Sequence, residues 1–541
     1  MSQKMMRAKG ALTGRDAEKR SAMTLALAAL FVCQFAVICY FNLTQMRNHL
    51  GYDSSWNLLR AALVWQEKTL ISPAWSETTN LHLDTPLPLA SLLYGLTGNL
   101  LLSFGIADLL VVALLVLLVW KILARLGVGI SARMIAVNLV ICPYMTTGFL
   151  PYNDLGYFSC LLSGAAYYSV RTLFVLLIIY EFLKVSGDQK IGVLGWILWP
   201  VCVFSGFSFG VFLIVILFVP YLLYEMEMAV IRDDWKQLVR KESLFAYVCC
   251  ACVLAGKALA MTVFHFEAMD SSRGWTSLGN VWTNFGAVFQ GFLKLLQVLP
   301  ETVHTVMSPT GLLRVMILAL FAILALAVGA VFRGAVRRPL EKNGAVLFLA
   351  NIVGMNILVF GLFNVQYGAD LFEERYLIPT FFVIILMAAL FFDSLRGRRV
   401  LPVLLSAVMG VSLLAVDVHS DVNYLRDTND AWQLDEIQAL AEEQDAGIVY
   451  FWGDDLTVVG RALRACDLNR VYKQLPDRGG WFIHWGDYTV YDRQEEYEGT
   501  TLLLCPRGKQ LVPESVLSEY ELLTELDQAE VYVSDHNPRL F

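Results

Sequence analysis

Acidic side chains that follow long apolar runs are the residues of this sequence best placed to do chemistry. Asp53 comes shortly after the first such run, in GYDSSWNLLRAALVWQEK, at the start of a predicted amphipathic helix. A carboxylate in that place can take the proton of a hydroxyl group as a general base. It can equally cap the N-terminus of the helix or mark the membrane interface. The segment by itself leaves both interpretations open.

Asp84 and Asp154 lie in similar positions. Asp84, with His82 two residues before it, precedes the prolines of NLHLDTPLPLASLLYGLTGN, and Asp154 lies in PYNDLGYFSC between two apolar runs. Either acid could contact a substrate, and His82 could be an ordinary polar side chain of an outer loop. A Pro-Tyr-Asn-Asp string is also a competent turn, so a structural role for Asp154 stays open.

Three basic residues could meet an anionic group such as a phosphate. Arg375 precedes Tyr376 at the start of a late apolar run, in ADLFEERYLIP. An interfacial arginine–tyrosine anchor explains this pair almost as well. Lys257 lies within an apolar run, nearer the end expected outside, where snorkelling of the long side chain is the commoner account. Arg273 is one of two basic residues in the loop 264–310.

The sequence lacks the motifs that are typical of several other kinds of chemistry. It contains no Ser/His/Asp order, phosphate-binding glycine loop or HExxH helix. The net charge of −7 and the lack of a basic stripe argue against nucleic acid as a partner. Eight of the ten cysteines lie in or beside apolar runs without zinc-ligand spacing, which is typical of buried thiols that pack as small hydrophobic groups.

The composition indicates what must position these residues. Of 541 residues, 57% are hydrophobic and 16% charged, and the mean hydropathy is +0.56. Runs of about 18 or more apolar residues recur along the first three quarters of the chain, as a hydrocarbon core about 30 Å thick demands. We therefore predict a polytopic α-helical membrane protein with about eleven transmembrane helices. The predicted spans are 21–43, 105–124, 134–149, 166–184, 191–204, 208–224, 243–263, 311–332, 344–363, 376–395 and 400–417.

Lysine and arginine residues in the short loops set the predicted orientation in the plasma membrane. The N-terminal segment 1–20 and the alternate short loops are basic, which places them on the cytoplasmic side. The loops 44–104 and 264–310 are then outside. This charge pattern requires 86–104 to lie along the membrane surface or to be re-entrant. It also requires 191–224 to form a hairpin of two short spans, broken near SGFSFG.

The sequence changes in composition after residue 418. In 419–541, GIVYFWG, TLLLCP and VYVSD are predicted strands, and LTVVGRALRACD and ESVLSEYELLTEL are predicted helices. We predict a small extracytoplasmic α/β domain. Cys466 and Cys505 lie in it, and an oxidising compartment would permit a disulfide between them.

The first outer loop resembles that of the GT-C glycosyltransferases, a superfamily of membrane enzymes. The likeness lies in an acid soon after the first span, an aromatic-rich amphipathic helix, and a Leu-Pro-Leu segment followed by a glycine. It is stronger for the branch with the protein O-mannosyltransferases and the lipid A aminoarabinose transferase, and extends from Asp53 to about Pro379. Ser54 stands where that family often has a second acid, and Pro86–Pro88 departs from its usual Pro-Pro-Leu.

The resemblance implies a GT-C-like fold and an inverting glycosyltransferase. Its donor would be a sugar linked to polyprenyl phosphate, and its acceptor a glycan, lipid or protein at the outer face of the membrane. In that family the first-loop acid is the catalytic carboxylate, a role that falls here on Asp53. Asp154 would orient the acceptor, or hold a divalent ion such as Mg²⁺ or Mn²⁺ together with Asp53.

The same resemblance assigns the basic residues to the donor. Arg375, with Tyr376, matches an Arg-Tyr motif of the family and would meet the departing phosphate, with Lys257 or Arg273 assisting. The remaining candidate substrate contacts are the two polar residues just before the proline segment, His82 and Asp84.

Two other functions compete with an enzyme. A transporter or flippase predicts structural repeats and polar residues near the bilayer midplane, whereas the notable acids of this chain lie at the outer edge. A non-enzymatic scaffold whose outer domain binds a partner would explain the C-terminal tail, but it leaves the acid-bearing first loop unexplained.

Overall fold

A computed structural model shows a helical membrane part followed by a small sheet domain. The structure describes residues 14–50, 52–71, 80–145, 156–164, 166–185, 191–263, 274–299, 305–336, 344–364, 374–395, 401–426, 433–453, 460, 462–463, 466–468, 470–475, 497–507 and 512–538. The helices of the membrane part are α1 (Gly14–Tyr40), α2 (Tyr52–Glu67), α3 (Leu87–Thr97), α4 (Leu100–Arg125), α5 (Ile130–Ile141), α6 (Tyr157–Leu161), α7 (Ser169–Val185), α8 (Val193–Phe209), α9 (Val219–Arg232), α10 (Lys241–Val263), α11 (Val281–Leu295), α12 (Pro309–Val336), α13 (Gly344–Leu362), α14 (Ile378–Ser394) and α15 (Leu401–Arg426).

Each of the eleven predicted spans overlaps a helix, but the helices differ in length, and residues 146–149 of the third span lie outside the described residues. Within the described residues, seven helical segments are long and apolar enough to cross a membrane: Ala22–Gln45, Leu100–Arg125, Ile214–Arg232, Lys241–Val263, Pro309–Val336, Gly344–Leu362 and Glu374–Ser394. The other four predicted spans correspond to α5, α7 and α8, of 12, 17 and 17 residues, and to α15, of 26 residues. The chain is a multi-pass membrane protein, and the count of eleven stays a prediction.

The loop 44–104, which keeps the name first outer loop from its predicted side of the membrane, is in its described part a compact unit built on α2, α3 and the start of α4. A Cβ atom on Gly95 would overlap the indole ring of Trp65, so the glycine lets α3 lie directly against α2. Gly98, with φ of +66°, ends α3, and the Asn99 side chain caps α4 by accepting from the Leu102 N–H at 3.0 Å. With 11 residues, α3 is about 16 Å long and too short to cross the hydrocarbon core.

The predicted hairpin at 191–224 turns at the last residue of SGFSFG. α8 runs to Phe209 and ends at Gly210, whose φ of +70° suits a residue without a side chain. α8 then packs tightly on α10. A Cβ atom on Gly206 would meet the carbonyl group of Val253, and one on Gly256 would meet the carbonyl group of Val203. These two glycines let the helix backbones touch, as small residues do in membrane helix pairs.

The C-terminal domain contains a five-stranded mixed sheet. Its strands are β3 (Ile448–Trp452), β4 (Val471–Leu475), β5 (Thr501–Pro506), β6 (Glu521–Glu525) and β7 (Ala529–Ser534), in the order β4-β3-β5-β7-β6. β3 is parallel to β4 and β5, whereas β7 is antiparallel to β5 and β6. Its described helices include α16 (Leu434–Glu443) and α17 (Glu514–Leu517). In the membrane part, β1 (Gly274–Trp275) pairs with β2 (Phe363–Asn364).

The three predicted strands of this domain are present, but one helix prediction is wrong. Within ESVLSEYELLTEL only α17, of four residues, is helical, and ELLTE forms the edge strand β6. Leucine and glutamate favour helices, but pairing with β7 supplies the backbone hydrogen bonds of an edge strand. Tertiary pairing has overridden local propensity here.

The disulfide considered for Cys466 and Cys505 is not formed, and all ten cysteines are free thiols. Cys505 lies on the sheet face that also carries Tyr450 and Leu503. Cys466 packs against the cluster on the opposite face, to which Leu504 belongs. Because neighbouring residues of a strand point to opposite faces, the sheet itself separates the two sulfur atoms.

The C-terminal domain packs against the first outer loop. One continuous apolar cluster contains Trp56 and Leu59 of α2 together with Ile437 of α16 and residues of β3 and β5. Beside this cluster, an Arg47 guanidinium nitrogen lies 2.6 Å from a carboxylate oxygen of Asp435. The loop 44–104 and the C-terminal domain therefore lie on the same side of the helical bundle.

Candidate functional site

Asp53 is the second residue of α2, and its side chain lies outside the described residues. The residues that follow it are buried: Ser54 is 3% and Ser55 0% exposed. A Cβ atom on Gly164 would lie 3.6 Å from the Cβ atom of Ser54. The start of α2 thus lies against the turn that leads into α7, and the two residues that follow Asp53 are inside the molecule.

The segment before α3, which holds His82 and Asp84, is fixed to the last turn of α8. The Ser208 carbonyl oxygen accepts from the backbone N–H groups of Leu81 at 2.9 Å and His82 at 3.1 Å. The Ser208 hydroxyl donates to Asp84 Oδ1 at 2.7 Å and accepts from the Asp84 N–H at 2.8 Å. Four hydrogen bonds to one residue determine where this part of the first outer loop lies.

Arg171, the third residue of α7, neutralises the charge of Asp84. Its Nε lies 3.0 Å from Asp84 Oδ2, and the two side chains are 1% and 0% exposed. Its Nη2 lies 3.0 Å from Nδ1 of His82. A charge that is almost fully removed from water needs such a partner, because an isolated one costs several kcal/mol or more. In this arrangement the Asp84 carboxylate binds protein groups, and a direct substrate contact for it stays a prediction.

Aromatic rings surround the Arg171 guanidinium and extend to Arg375. The guanidinium carbon of Arg171 lies 3.4 Å from the ring centroid of Phe209, 4.7 Å from that of Tyr168 and 5.2 Å from that of Tyr167. The guanidinium carbon of Arg375 lies 5.7 Å from the centroid of the same Tyr167 ring. Cations placed in this way over aromatic faces are attracted by the ring quadrupole.

Tyr376 and Lys257 adjoin the same region. The Tyr376 ring meets that of Tyr168 edge-on, with 5.8 Å between centroids. The Lys257 Cδ atom would lie 3.6 Å from a Cβ atom on Gly210, and the Asn80 side-chain oxygen 3.3 Å from it. Lys257 therefore lies close to the segment that carries His82 and Asp84.

The structure brings five of the predicted site residues together. His82, Asp84, Arg375, Tyr376 and Lys257 lie in one region, formed by the ends of α7, α8 and α10, the start of α14 and the first outer loop. Asp154 and Arg273 lie outside the described residues, as does the Asp53 side chain.

No metal centre is apparent in the part of the chain that the structure describes. Three or more His, Cys, Asp or Glu side chains do not come together there in a way that could hold an ion. Asp84, the buried acid of the site, already has a guanidinium partner. A divalent ion on Asp53 and Asp154 stays a prediction, and no chemical step is assigned to one.

Arg171 and Ser208 are site residues that the sequence analysis missed. Arg171 falls inside the predicted span 166–184, where a charged residue is costly and is therefore a functional candidate by itself. That signal was present in the sequence. Ser208 gave none, because a serine in an apolar helix is common and its partner Asp84 lies 124 residues away.

Solved structures share the fold of the chain. Two of them are crystal structures of ArnT from Cupriavidus metallidurans, one bound to undecaprenyl phosphate and one in the apo state, each with a TM-score of 0.56 and 12% identity. The match covers 94% of this chain and 97% and 98% of those chains. No family profile matches the chain, and no curated protein matches it in sequence. ArnT is a GT-C lipid A aminoarabinose transferase, so the expected GT-C-like fold is confirmed.

Proposed function

We propose that the protein is a glycosyltransferase that takes a sugar from a polyprenyl-phosphate-linked donor and transfers it to an acceptor at the outer face of the membrane. One observation carries this proposal. Residues from the first outer loop, α7 and the start of α14 form a single cationic and aromatic region, next to the helix that Asp53 begins. The fold shared with ArnT supports it, because one of the ArnT structures contains undecaprenyl phosphate.

Asp53 is the proposed general base. Its carboxylate takes the proton of the acceptor hydroxyl as that oxygen attacks the anomeric carbon of the donor sugar. A bond forms between the acceptor oxygen and this carbon, while the bond from the carbon to the phosphate oxygen breaks. Polyprenyl phosphate leaves with the electron pair. A single displacement of this kind inverts the configuration of the sugar.

Arg375 is the proposed partner of the phosphate. Its guanidinium is half-buried at the start of α14 and is oriented by Tyr167, so it is in place before charge develops on the leaving group. Because a guanidinium presents several donors in a fixed plane, it can contact two phosphate oxygens at once. Lys257 adds positive charge nearby, and Arg273, in the loop 264–310, is a further candidate.

A reconstitution assay tests the base. The purified protein in liposomes receives a mixed set of undecaprenyl-phosphate-linked sugars, and mass spectrometry follows consumption of each donor and formation of undecaprenyl phosphate. Asp53→Asn should abolish transfer with normal expression and membrane insertion. Glu67→Gln is the matched control, because Glu67 is an exposed acid at the other end of α2. An Asp53→Asn protein that keeps most of its activity would remove Asp53 from this role.

The same assay tests the phosphate partner. Arg375→Ala should chiefly raise the KM for the lipid-linked donor, by roughly 10- to 100-fold if one charge-assisted interaction is lost. Lys294→Ala, which removes an exposed cation from α11, should leave the KM unchanged. An unchanged dependence on donor concentration in Arg375→Ala would exclude Arg375 as the phosphate ligand.

A further inference from the structure

Arg171 has no role in the reaction proposed above, yet its side chain is almost fully buried in the site. Its guanidinium contacts two residues of the first outer loop, the Asp84 carboxylate through Nε and the His82 imidazole through Nη2. The Asp84 contact balances the charge. The His82 contact does not, because an imidazole brings no negative charge. A cation that only anchored the loop would not need this second partner.

The chemistry of the two groups defines the protonation of His82. Arginine remains charged and has five N–H donors and no acceptor. The His82 Nδ1 atom must therefore accept the hydrogen bond from Arg171, and it cannot carry a proton while it does so. The single proton of the neutral imidazole is then on Nε2. Arg171 thus selects one tautomer and opposes formation of the imidazolium, which would place a proton between the two groups.

The backbone of His82 shows that its position is imposed by its neighbours. Its φ is +48°, in the left-handed region that residues with a side chain seldom occupy. The hydrogen bond from its N–H to Ser208 and that of its ring with Arg171 hold this conformation. Strained residues of this kind concentrate at functional sites.

The ring of His82 lies where a substrate anion is expected. It contacts the rings of Phe209, with 5.1 Å between centroids, and Tyr167, at 5.4 Å. The same Tyr167 ring lies near the guanidinium of the proposed phosphate ligand, Arg375. His82 is half-buried, whereas Leu81, Leu83, Asp84 and Thr85 around it in the chain are buried.

We propose that Arg171 is a positioning residue that holds His82 as a neutral imidazole with its proton on Nε2, and that this N–H donates to an oxygen of the lipid-linked phosphate. The inference rests on the proposed function for the identity of the anion, but the tautomer does not depend on it. Arg171 acts through His82 and also holds Asp84 in place. The first outer loop, α7 and α8 therefore hold one hydrogen-bond donor, the His82 Nε2–H group, in a prearranged position. Such a donor requires no reorganisation when charge develops on the phosphate.

Nitrogen NMR of the full-length protein in lipid bilayers tests the tautomer. The chain has seven histidines, and the signals of His82 in ¹⁵N-histidine-labelled protein are identified by their loss in His82→Gln. The charged or titratable groups near the ring include Arg171 and Tyr167, which contact it, Asp84 and Tyr168, which contact the Arg171 guanidinium, and Arg375, which lies near the Tyr167 ring. At pH 6.0 we expect an unprotonated Nδ1 and a protonated Nε2. Two protonated nitrogens, or a proton on Nδ1, would overturn the proposal.

A variant of Arg171 separates positioning from folding. Arg171→Met alone leaves a buried Asp84 charge and could unfold, so it is combined with Asp84→Asn, which removes both charges and keeps an acceptor for Ser208. In this double variant the His82 ring should show both protonated nitrogens or mixed tautomers at pH 6.0. Arg125→Met is the control, since Arg125 donates only to the carbonyl groups of Leu183 and Lys184 in the described structure. An unchanged His82 spectrum in the double variant would contradict the role of Arg171.

Undecaprenyl phosphate, added without a sugar, tests the anion. Its binding should shift the Nε2 signal of His82 in the wild-type protein, and the double variant should bind it roughly 10- to 100-fold more weakly. If the tautomer is as expected but undecaprenyl phosphate leaves Nε2 unshifted, the phosphate contact is wrong. Absence of sugar transfer together with a shifted Nε2 would instead contradict the proposed function, so the two failures can be told apart.

Discussion

The ion pair between Asp84 and Arg171 determines the structure of the site. Both side chains are almost fully buried, so their attraction is offset by the cost of removing two charges from water. The pair therefore contributes little net stability, while the loss of one partner is severe. The pair instead fixes the positions of His82 and the first outer loop relative to α7 and α8.

Removing one charge of this pair should be much worse than removing both. We expect Asp84→Ala to destabilise the folded protein by about 3–5 kcal/mol, because it leaves the Arg171 guanidinium buried without a counter-ion. The double variant Asp84→Ala with Arg171→Met should recover most of this loss. Thermal unfolding in detergent, run as a double-mutant cycle, measures both effects. Single and double variants that unfold at the same temperature would show that the two charges are not coupled.

The sequence could predict some residues of the site but not their partners. Asp84, His82 and Arg375 were found because polar residues at the edges of apolar runs are conspicuous. Arg171 interrupts an apolar run, but a charged residue within a predicted span gives no indication of its partner. Its contacts with Asp84, 87 residues earlier in the chain, depend on how α7 and α8 pack, which no local pattern reveals.

The two thiols of the C-terminal domain should resist modification. Burial raises the pKa of Cys505 to about 12 and that of Cys466 to about 11, the latter against the opposing effect of the Arg47 guanidinium. At pH 8 roughly one Cys505 thiol in ten thousand is then ionised, and the thiolate is the reactive form. Iodoacetamide at pH 8 should therefore label both thiols far more slowly than it does after denaturation. Rapid labelling, or a disulfide between them in non-reducing mass spectrometry, would contradict this arrangement.

At the scale of elements, close backbone contact between α8 and α10 sets the shape of the site. α8 ends in Ser208 and Phe209, which contact Asp84 and Arg171, and α10 carries Lys257. The contact between the two helices depends on Gly206 and Gly256, because neither leaves room for a Cβ atom. The glycines thus place residues of the site without touching a substrate.

Adding a side-chain atom in the contact between α8 and α10 should lower both the stability of the protein and its affinity for the donor. We expect Gly206→Ala to destabilise the protein by about 1–3 kcal/mol, as overpacking does, and to lower donor affinity by displacing Ser208. Gly354→Ala in α13 is the control, since nothing lies within 4 Å of the position of its Cβ atom. Unfolding temperature and binding of undecaprenyl phosphate are measured for both. An unaffected Gly206→Ala protein would mean that α8 and α10 are separated by more than the structure shows.

The lengths of the apolar runs predicted which helices form better than they predicted where those helices end. Every predicted span has a helix, but α15 continues to Arg426, nine residues past the predicted end at 417. The extension carries Ser420, which is buried and accepts a hydrogen bond from the Met145 N–H, and a hydropathy pattern counts such a polar residue as the end of a span. The strand β6 was missed because its leucine and glutamate residues favour a helix, although its partner β7 begins only four residues after β6 ends.

At the scale of the whole molecule, the C-terminal domain and the first outer loop share one apolar cluster. The first outer loop is therefore covered on one side by membrane helices and packed on another side against the C-terminal domain. This arrangement suits a transfer reaction from which water must be kept away, because water would compete as an acceptor. The sequence predicted the domain, but gave no indication of what it packs against.

Disrupting this shared cluster should release the C-terminal domain. Ile437 is 1% exposed, and Ile437→Asp would bury a carboxylate in the apolar contact between α16 and the first outer loop. We expect faster proteolytic removal of the domain from membranes, together with a loss of transfer. Ala439→Asp places the same charge on the exposed face of the same helix and should behave as wild type. Equal proteolysis of both variants would show that the cluster does not hold the domain.

The position of the phosphate is the most direct test of the account. An electron cryo-microscopy structure of the protein in a lipid nanodisc with undecaprenyl phosphate would locate it. We predict the phosphate between Arg375 and the Nε2 atom of His82, on the side of the first outer loop and within reach of the Asp53 carboxylate. A phosphate bound at the opposite ends of the helices, or one with Asp53 directed away from it into bulk solvent, would contradict the proposed function.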